Sequence, residues 1–376
     1  MTLFNLDYNY LDNKAKEHGY ITNVFEQVIR LLAVQSFVSD HPLLKANLAL
    51  KGGTAINLVY FDVLRLSVDL DFDFTRILTK EDIFDPRNEI RSVLRTYMVN
   101  NGYGFSDKSR QHYSMDSEIF SYVTSSKSKN NIKVDINYLA RAHVLPTKVR
   151  KMYAFGLCEP ISVNTLHPIE SFASKMVALL SRCAARDLFD VLNIARHVTF
   201  TELQKDMLRK CVVFYSALSA VPGFDPTDLS KIDSFVQSDV RRNLAILLKK
   251  GASFNLACAR DEVKAFLKDL IVLSKDEKTF LTEFHMGSYR PELIFSGAQL
   301  SRIKSSPLAL WKTQNANKAR QQSPLSSGDK DTLSEAFRIS GLTDRERVVI
   351  VKDIESGKTT LEATLKVLSE KRGQCL

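Results

Sequence analysis

The sequence predicts an α+β unit followed by a mostly α-helical region, and three observations carry that reading. DLDFDF, residues 69–74, alternates Asp with Leu or Phe, the period-two pattern of a strand with one face buried. SEIFSYVTSSKSKNNIKVDINYL, residues 117–139, sets two alternating segments around a polar turn rich in Ser, Lys and Asn, a β-hairpin. From His167 onward apolar residues recur every three or four positions, the period of a helix.

Taken in chain order, residues 22–38 bring Val24, Val28, Leu31, Leu32 and Phe37 to one side of an amphipathic helix. In LALKGGTAINLVYFDVLRLSVDLDFDF a short apolar run, a glycine pair, a short helix and the alternating strand follow one another closely. Residues 80–100 are expected to form a helix burying Ile83, Ile90, Val93, Leu94 and Met98. On the second hairpin strand Ile132, Val134, Ile136 and Tyr138 face one way, and Lys133, Asp135 and Asn137 the other. Pro168 suits the first turn of a helix covering IESFASKMVALLSRCAARDLFDVLNIARHV. The chain therefore divides into an α+β unit (1–165), a helical unit (166–311), a polar linker (312–330) and a small helical segment (331–376). In the last, Thr343 with Glu346 and Thr359 with Glu362 have capping-box spacing.

Composition narrows the partners. With 52 Lys and Arg against 43 Asp and Glu the chain carries +9, which favours a polyanionic ligand such as nucleic acid or nucleotide, or simply keeps the protein in solution. No stretch approaches a membrane span, and the N-terminus has no basic region ahead of an apolar run, so no membrane contact and a cytoplasmic location are expected. Cys158, Cys183, Cys211, Cys258 and Cys375 are scattered, without a Cys-x-x-Cys pair, and read as free thiols.

The chemistry-bearing pattern centres on the acids. On a strand Asp69 and Asp71 share a face about 6.6 Å apart at Cα, close enough to converge on shared cations. Mg²⁺ takes carboxylate oxygens and keeps positions for phosphates; a solvated edge strand, or pairing with Lys and Arg, is the alternative. Asp73, about 13 Å of rise from Asp69, is expected to be a supporting or solvent-facing acid. Gly52 and Gly53 sit at a strand-to-helix turn where bare backbone N–H groups can approach a phosphate, and Thr54 adds a hydroxyl; a glycine pair alone is often only a turn. Asp135 supplies a third carboxylate if its strand neighbours that of Asp69 and Asp71, or pairs with Lys133 at the surface. Lys175, Arg182 and Arg186 fall near one helix face, a stripe that suits a triphosphate or a solvated surface paired with Asp187 and Asp190. ESGKTT, residues 355–360, is not a P-loop, because Lys352 stands where its first glycine belongs; it reads as a helix end at Gly357 and a new N-cap at Thr359.

Together KGGTAINLVYF, RLSVDLDFDF, IKVDI and ESFASKMVALLSRCAARDLFDV resemble the nucleotidyltransferases of the AbiEii/AbiGii toxin family, related to the MenT toxins. The resemblance implies a polymerase-β-like nucleotidyltransferase domain with a small mixed sheet, and the toxin half of a type IV toxin–antitoxin or abortive-infection antiviral system. It implies Asp69, Asp71 and Asp135 as ligands of two Mg²⁺ ions, Gly52, Gly53 and Thr54 as the nucleotide-phosphate turn, and Lys175 as the helix lysine that meets the NTP. Asp187 is the acid that follows, with Arg182 and Arg186 beside it; Arg65 and Ser67 either contact phosphate or brace the strand. The implied acceptor is the 3′ end of tRNA, and the implied partner a DNA-binding antitoxin that forms no stable complex.

Overall fold

A computed structural model of the chain describes residues 7–79, 81–221, 223–322, 327–339, 342–355 and 358–373. Helices α1 (Tyr8–His18), α2 (Thr22–Asp40) and α3 (Pro42–Asn47) lead into strand β1 (Leu48–Lys51). A four-residue helix, α4 (Gly52–Ala55), runs on into a π-helical turn, Ile56–Tyr60, before β2 (Asp69–Phe74). Helix α5 (Phe84–Asn100) precedes the short strands β3 (Gly104–Phe105) and β4 (Arg110–His112). The long hairpin β5 (Met115–Val123) and β6 (Lys129–Asn137) follows, then β7 (Lys148–Met152) and β8 (Ile161–Thr165).

These eight strands form one mixed sheet in the order β3-β5-β6-β2-β1-β8-β7, with β4 paired to β5. β2 runs antiparallel to β1 and parallel to β6, so it lies at the centre with both edges paired. Leu70, Phe72 and Phe74 are buried on one face with Leu50, Val134 and Ile136, against α2 and α5 residues such as Phe25, Leu31, Ile90 and Leu94. That packing fixes the strand, and the alternating pleat sends Asp69, Asp71 and Asp73 to the other face.

The rest of the chain is helical: α6 (Pro168–Arg182), α7 (Ala185–His197), α8 (Glu202–Ala217), α9 (Gln237–Asn243), α10 (Leu256–Leu270), α11 (Lys275–His285), α12 (Gly297–Ile303), α13 (Pro307–Gln322), α14 (Ser327–Ile339), α15 (Asp344–Glu355) and α16 (Leu361–Gly373). A second large core fills the space among α6–α8 and α10–α11, around Met176, Leu188, Phe214 and Phe280. Leu333, Phe337, Leu342 and Leu368 form a small separate one.

Three sequence expectations need correction, and one strand had no expectation. The helix drawn through residues 169–198 is two helices, because Cys183 takes a left-handed conformation (φ 52°) and ends α6. The stretch 312–330 is helical through Gln322 and again from Ser327. It resembled a linker because α13 packs through small or polar side chains: Ala309 and Thr313 are buried four residues apart, and the Lys312 ammonium donates to the Ser219 carbonyl at 2.5 Å. Thr343 and Glu346 form the expected reciprocal cap, but the next N-cap hydroxyl is Thr360, not Thr359. The edge strand β7 escaped notice because Lys148, Val149, Arg150 and Lys151 are all exposed, which leaves no apolar alternation to read. Gly357 and Cys375 lie outside the described residues; Cys158, Cys183, Cys211 and Cys258 are free.

Candidate active site

The site is built on the polar face of the three central strands. Register sets Asp71 of β2 opposite Lys51 of β1 on one side and Asp135 of β6 on the other. Strand spacing puts such neighbours about 4.8 Å apart at Cα. Asp69 lies opposite Lys133, and Asp73 opposite Asn137. The three carboxylates expected to act together, Asp69, Asp71 and Asp135, are thus brought to one patch.

The glycine pair is explained by what crosses it. Gly52 has φ +72°, and a Cβ there would stand 2.4 Å from Asp71 Oδ2, so only glycine lets the turn pass over that carboxylate. At Gly53 a Cβ would meet Arg65 Nη2 at 2.8 Å and Ser67 Oγ at 3.0 Å. Beneath the turn, Thr54 is buried and its hydroxyl reaches Ser67 Oγ (3.0 Å) and the Asp69 carbonyl (2.5 Å). Thr54 and Ser67 therefore tie α4 to the start of β2, with both side chains buried beneath the turn. Arg65 is 2% exposed, and its guanidinium donates to both Asp190 oxygens (2.8 and 2.7 Å) and to the Leu66 carbonyl (2.8 Å). Of its two readings, bracing is the one the geometry supports.

Helices α6 and α7 close one side. Lys175 is buried, its ammonium 2.8 Å from Asp187 and 3.0 Å from Asp190. Arg182 donates to Asp187 from a side chain 61% exposed, and Arg186 stands 3.7 Å from Asp69. Because of the break at Cys183 these cations come from two helices: Lys175 and Arg182 are engaged by Asp187, and Arg186 reaches the acid face at Asp69. Burial works to raise the Asp187 carboxyl, but Lys175 and Arg182 outweigh it and hold the group well below the usual carboxylate range. Asp190, fully buried, is likewise held down by Arg65 and Lys175 against its desolvation.

Electrostatics single out Asp71. Burial raises its carboxyl and Asp69 and Asp135 add to that, against the opposing pull of Lys51 and Lys175. Desolvation disfavours the Lys51 ammonium, but Asp73, then Asp71 and Asp135, outweigh it and raise its pKa. Lys51 is anchored by Asp73 at 2.5 Å, so the third acid of DLDFDF, 3% exposed, is a buried support and not a solvent-facing group. His143 approaches the same acid, Nε2 to Oδ2 3.9 Å, with no hydrogen-bond partner for either ring nitrogen among the described residues. Asp135 accepts from Ser117 Oγ (2.7 Å) and from Lys133 Nζ (2.5 Å).

The donor set suits a hard cation. Among the described residues no three acids, histidines or cysteines stand close enough to hold a metal unaided. Mg²⁺ needs fewer, commonly one or two carboxylates completed by substrate phosphates and water. Asp69 and Asp71 meet that requirement.

Lys51, Lys133 and Asp190 join the site without standing out in the sequence as its residues. Lys51 directly precedes the glycine pair and Lys133 lies two positions from Asp135, a strand-face spacing; Asp190 ends the Arg-Asp-x-x-Asp run. The signals were present, but their weight depends on register and on helix packing.

The sequence model of a family described as nucleotidyl transferase AbiEii toxin, Type IV TA system, matches residues 36–282. Among solved structures the chain is similar to MenT4, a nucleotidyltransferase toxin from Mycobacterium tuberculosis H37Rv, at 15% identity and a TM-score of 0.56. That likeness covers 81% of this chain and 99% of the other, and it shows a shared fold. No curated protein matches. No helix among the described residues is long and apolar enough to cross a membrane.

Proposed function

Since the chain belongs to the AbiEii nucleotidyltransferase toxin family of type IV toxin–antitoxin systems, we propose a Mg²⁺-dependent enzyme that moves a nucleotide from an NTP to an RNA acceptor. The observation that carries this reading is Asp71, aimed by β2 beneath the Gly52 turn, with Asp135 and Lys51 in register on either side. Asp69 and Asp71 would hold the metal, with Asp135 as third ligand. When bound, Mg²⁺ lowers the pKa of an acceptor hydroxyl and offsets the charge of the departing pyrophosphate; two ions suit this chemistry.

The chain's own residues do the positioning. The exposed guanidinium of Arg182 and the adjacent Arg186 meet the triphosphate at the rim, and the backbone of Gly52 and Gly53 approaches it from the turn. Lys175, already bound to Asp187 and Asp190, contributes positive potential beside Asp71 from a fixed position. Lys51 balances the acid face in the same way, with Asp73 as its anchor.

The acceptor we favour is the 3′ end of tRNA, supported by the family resemblance and by the net charge of +9. A companion DNA-binding antitoxin would restrain the enzyme without a stable complex, in the cytoplasm, as part of antiviral defence. The test is to incubate the protein with Mg²⁺, each labelled NTP in turn and total cellular RNA. Label in tRNA supports the acceptor; label in protein or in a small molecule would replace it. Absence of pyrophosphate release with every acceptor pool would leave a nucleotide- or RNA-binding protein without catalysis.

A further inference from the structure

The carboxylates of the acid face are met by cations from the chain, and those cations differ in how firmly they are held. Lys51 is bound to Asp73, whose side chain is 5% exposed, and lies under the Gly52 turn. Lys133 sits at the open side: its side chain is 41% exposed and makes one ion pair among the described residues, 2.5 Å from Asp135 Oδ2. It shares a strand face with Asp135 and lies opposite Asp69 in register, so its ammonium is placed among the three acids Asp69, Asp71 and Asp135.

We propose that Lys133 is the exchangeable counter-cation of the site: it holds Asp135 in the metal-free protein and gives that carboxylate up to a divalent cation. An ammonium on a flexible stem makes a point contact, not a fork, and from an exposed strand position it swings to solvent without uncovering core. Asp135 keeps its bond from Ser117 Oγ, which holds it in orientation during the exchange. The lysine also explains why the three acids do not converge on a metal as they stand: one of them is turned toward a cation the chain already carries. Exchange makes the third carboxylate available only where a divalent ion outcompetes the lysine, and it frees Lys133 beside the incoming phosphates.

This inference rests on reading Asp69, Asp71 and Asp135 as metal ligands, and the experiment separates the two. Mn²⁺ is titrated into nucleotide-free protein and the free ion followed by electron paramagnetic resonance, for the wild type, Lys133→Met and Asp71→Asn. Lys133→Met is expected to bind Mn²⁺ about tenfold more tightly than the wild type, the scale of removing one adjacent unit charge. Its melting midpoint is expected to fall without metal and to recover with Mn²⁺. Equal or weaker binding by Lys133→Met, with the wild type still above Asp71→Asn, overturns the exchange alone. Binding by the wild type and Lys133→Met no stronger than that of Asp71→Asn overturns the metal site and the exchange with it. Should Lys133→Met not fold, Lys133→Arg keeps the charge on a forked group and is expected to bind Mn²⁺ more weakly than the wild type; equal or tighter binding overturns the exchange.

Discussion

Two groups of acids stand on adjacent strands of one sheet and face opposite ways. On the helix-covered face, Asp116 and Glu118 of β5 are each 1% exposed and bound by arginine forks from α5: Arg87 and Arg91 on Asp116, Arg95 on Glu118. On the other face Asp69, Asp71 and Asp135 are met by lysine and by a distant Arg186, with Asp69 35% exposed. Arginine presents a rigid bidentate fork that saturates a carboxylate, whereas lysine leaves acceptor sites unfilled. The first arrangement joins helix to sheet. The second leaves carboxylates crowded and able to take another cation, which is what phosphoryl chemistry needs.

The comparison can be broken at several points. The largest effect is expected beneath the site, at Asp190, which holds Arg65, Lys175 and Asn57 in a fully buried cluster. Asp190→Ala strands the buried Arg65 guanidinium and leaves Lys175 with Asp187 alone, and should cost about 3–5 kcal/mol in denaturant unfolding; a loss under 1 kcal/mol would mean the cluster is not structural. Asp71→Asn should slow nucleotidyl transfer roughly a hundredfold or more, on the order of 3 kcal/mol of barrier, with the unfolding midpoint nearly unchanged. Gly52→Ala combines a strained left-handed backbone, about 1–2 kcal/mol, with a methyl pressed on Asp71, so it should lose both stability and rate. A variant as active as the wild type would show that the turn does not set Asp71.

Smaller effects are expected on the saturated face. Arg91→Ala leaves Asp116 with Arg87, so unfolding should cost only about 1 kcal/mol and the rate should not change. The pH dependence follows from Asp187 and Asp190, whose pKa values are lowered in the fold. Their protonation favours the unfolded chain, so their contribution is complete above the ordinary carboxylate range near pH 4 and is lost as pH falls through the depressed values. Replacing Asp187 by Asn should flatten that acid limb in a stability-versus-pH series; an unchanged limb would assign it to other acids.

Much of this was legible in the sequence where a residue's role depends on near neighbours. The alternation of DLDFDF set Leu70, Phe72 and Phe74 on the core face and the acids on the other, though not the burial of Asp73, and the hairpin spacing placed Asp135 on the polar face. What was not legible depends on distant chain. Arg65 and Thr54 look like phosphate ligands in a motif, and only the packing of α7 against the turn shows them buried against Asp190 and the start of β2. Lys51 and Lys133 are ordinary strand lysines until register sets them beside Asp71 and Asp69. The break at Cys183 was hidden because the residues on either side continue the helical period, while a single left-handed φ ends the helix. The polar α13 was mistaken for a linker since its contacts use Ala309, Thr313 and a lysine, not large apolar groups.

The central claim is that the lysine-balanced acid face does the chemistry and the arginine-saturated face does not. The most direct test is pyrophosphate release from NTP with total RNA and Mg²⁺, compared for Asp71→Asn and Arg91→Ala at equal concentrations of folded protein. The account predicts a loss of roughly a hundredfold or more in Asp71→Asn and a wild-type rate in Arg91→Ala. A wild-type rate in Asp71→Asn would contradict it.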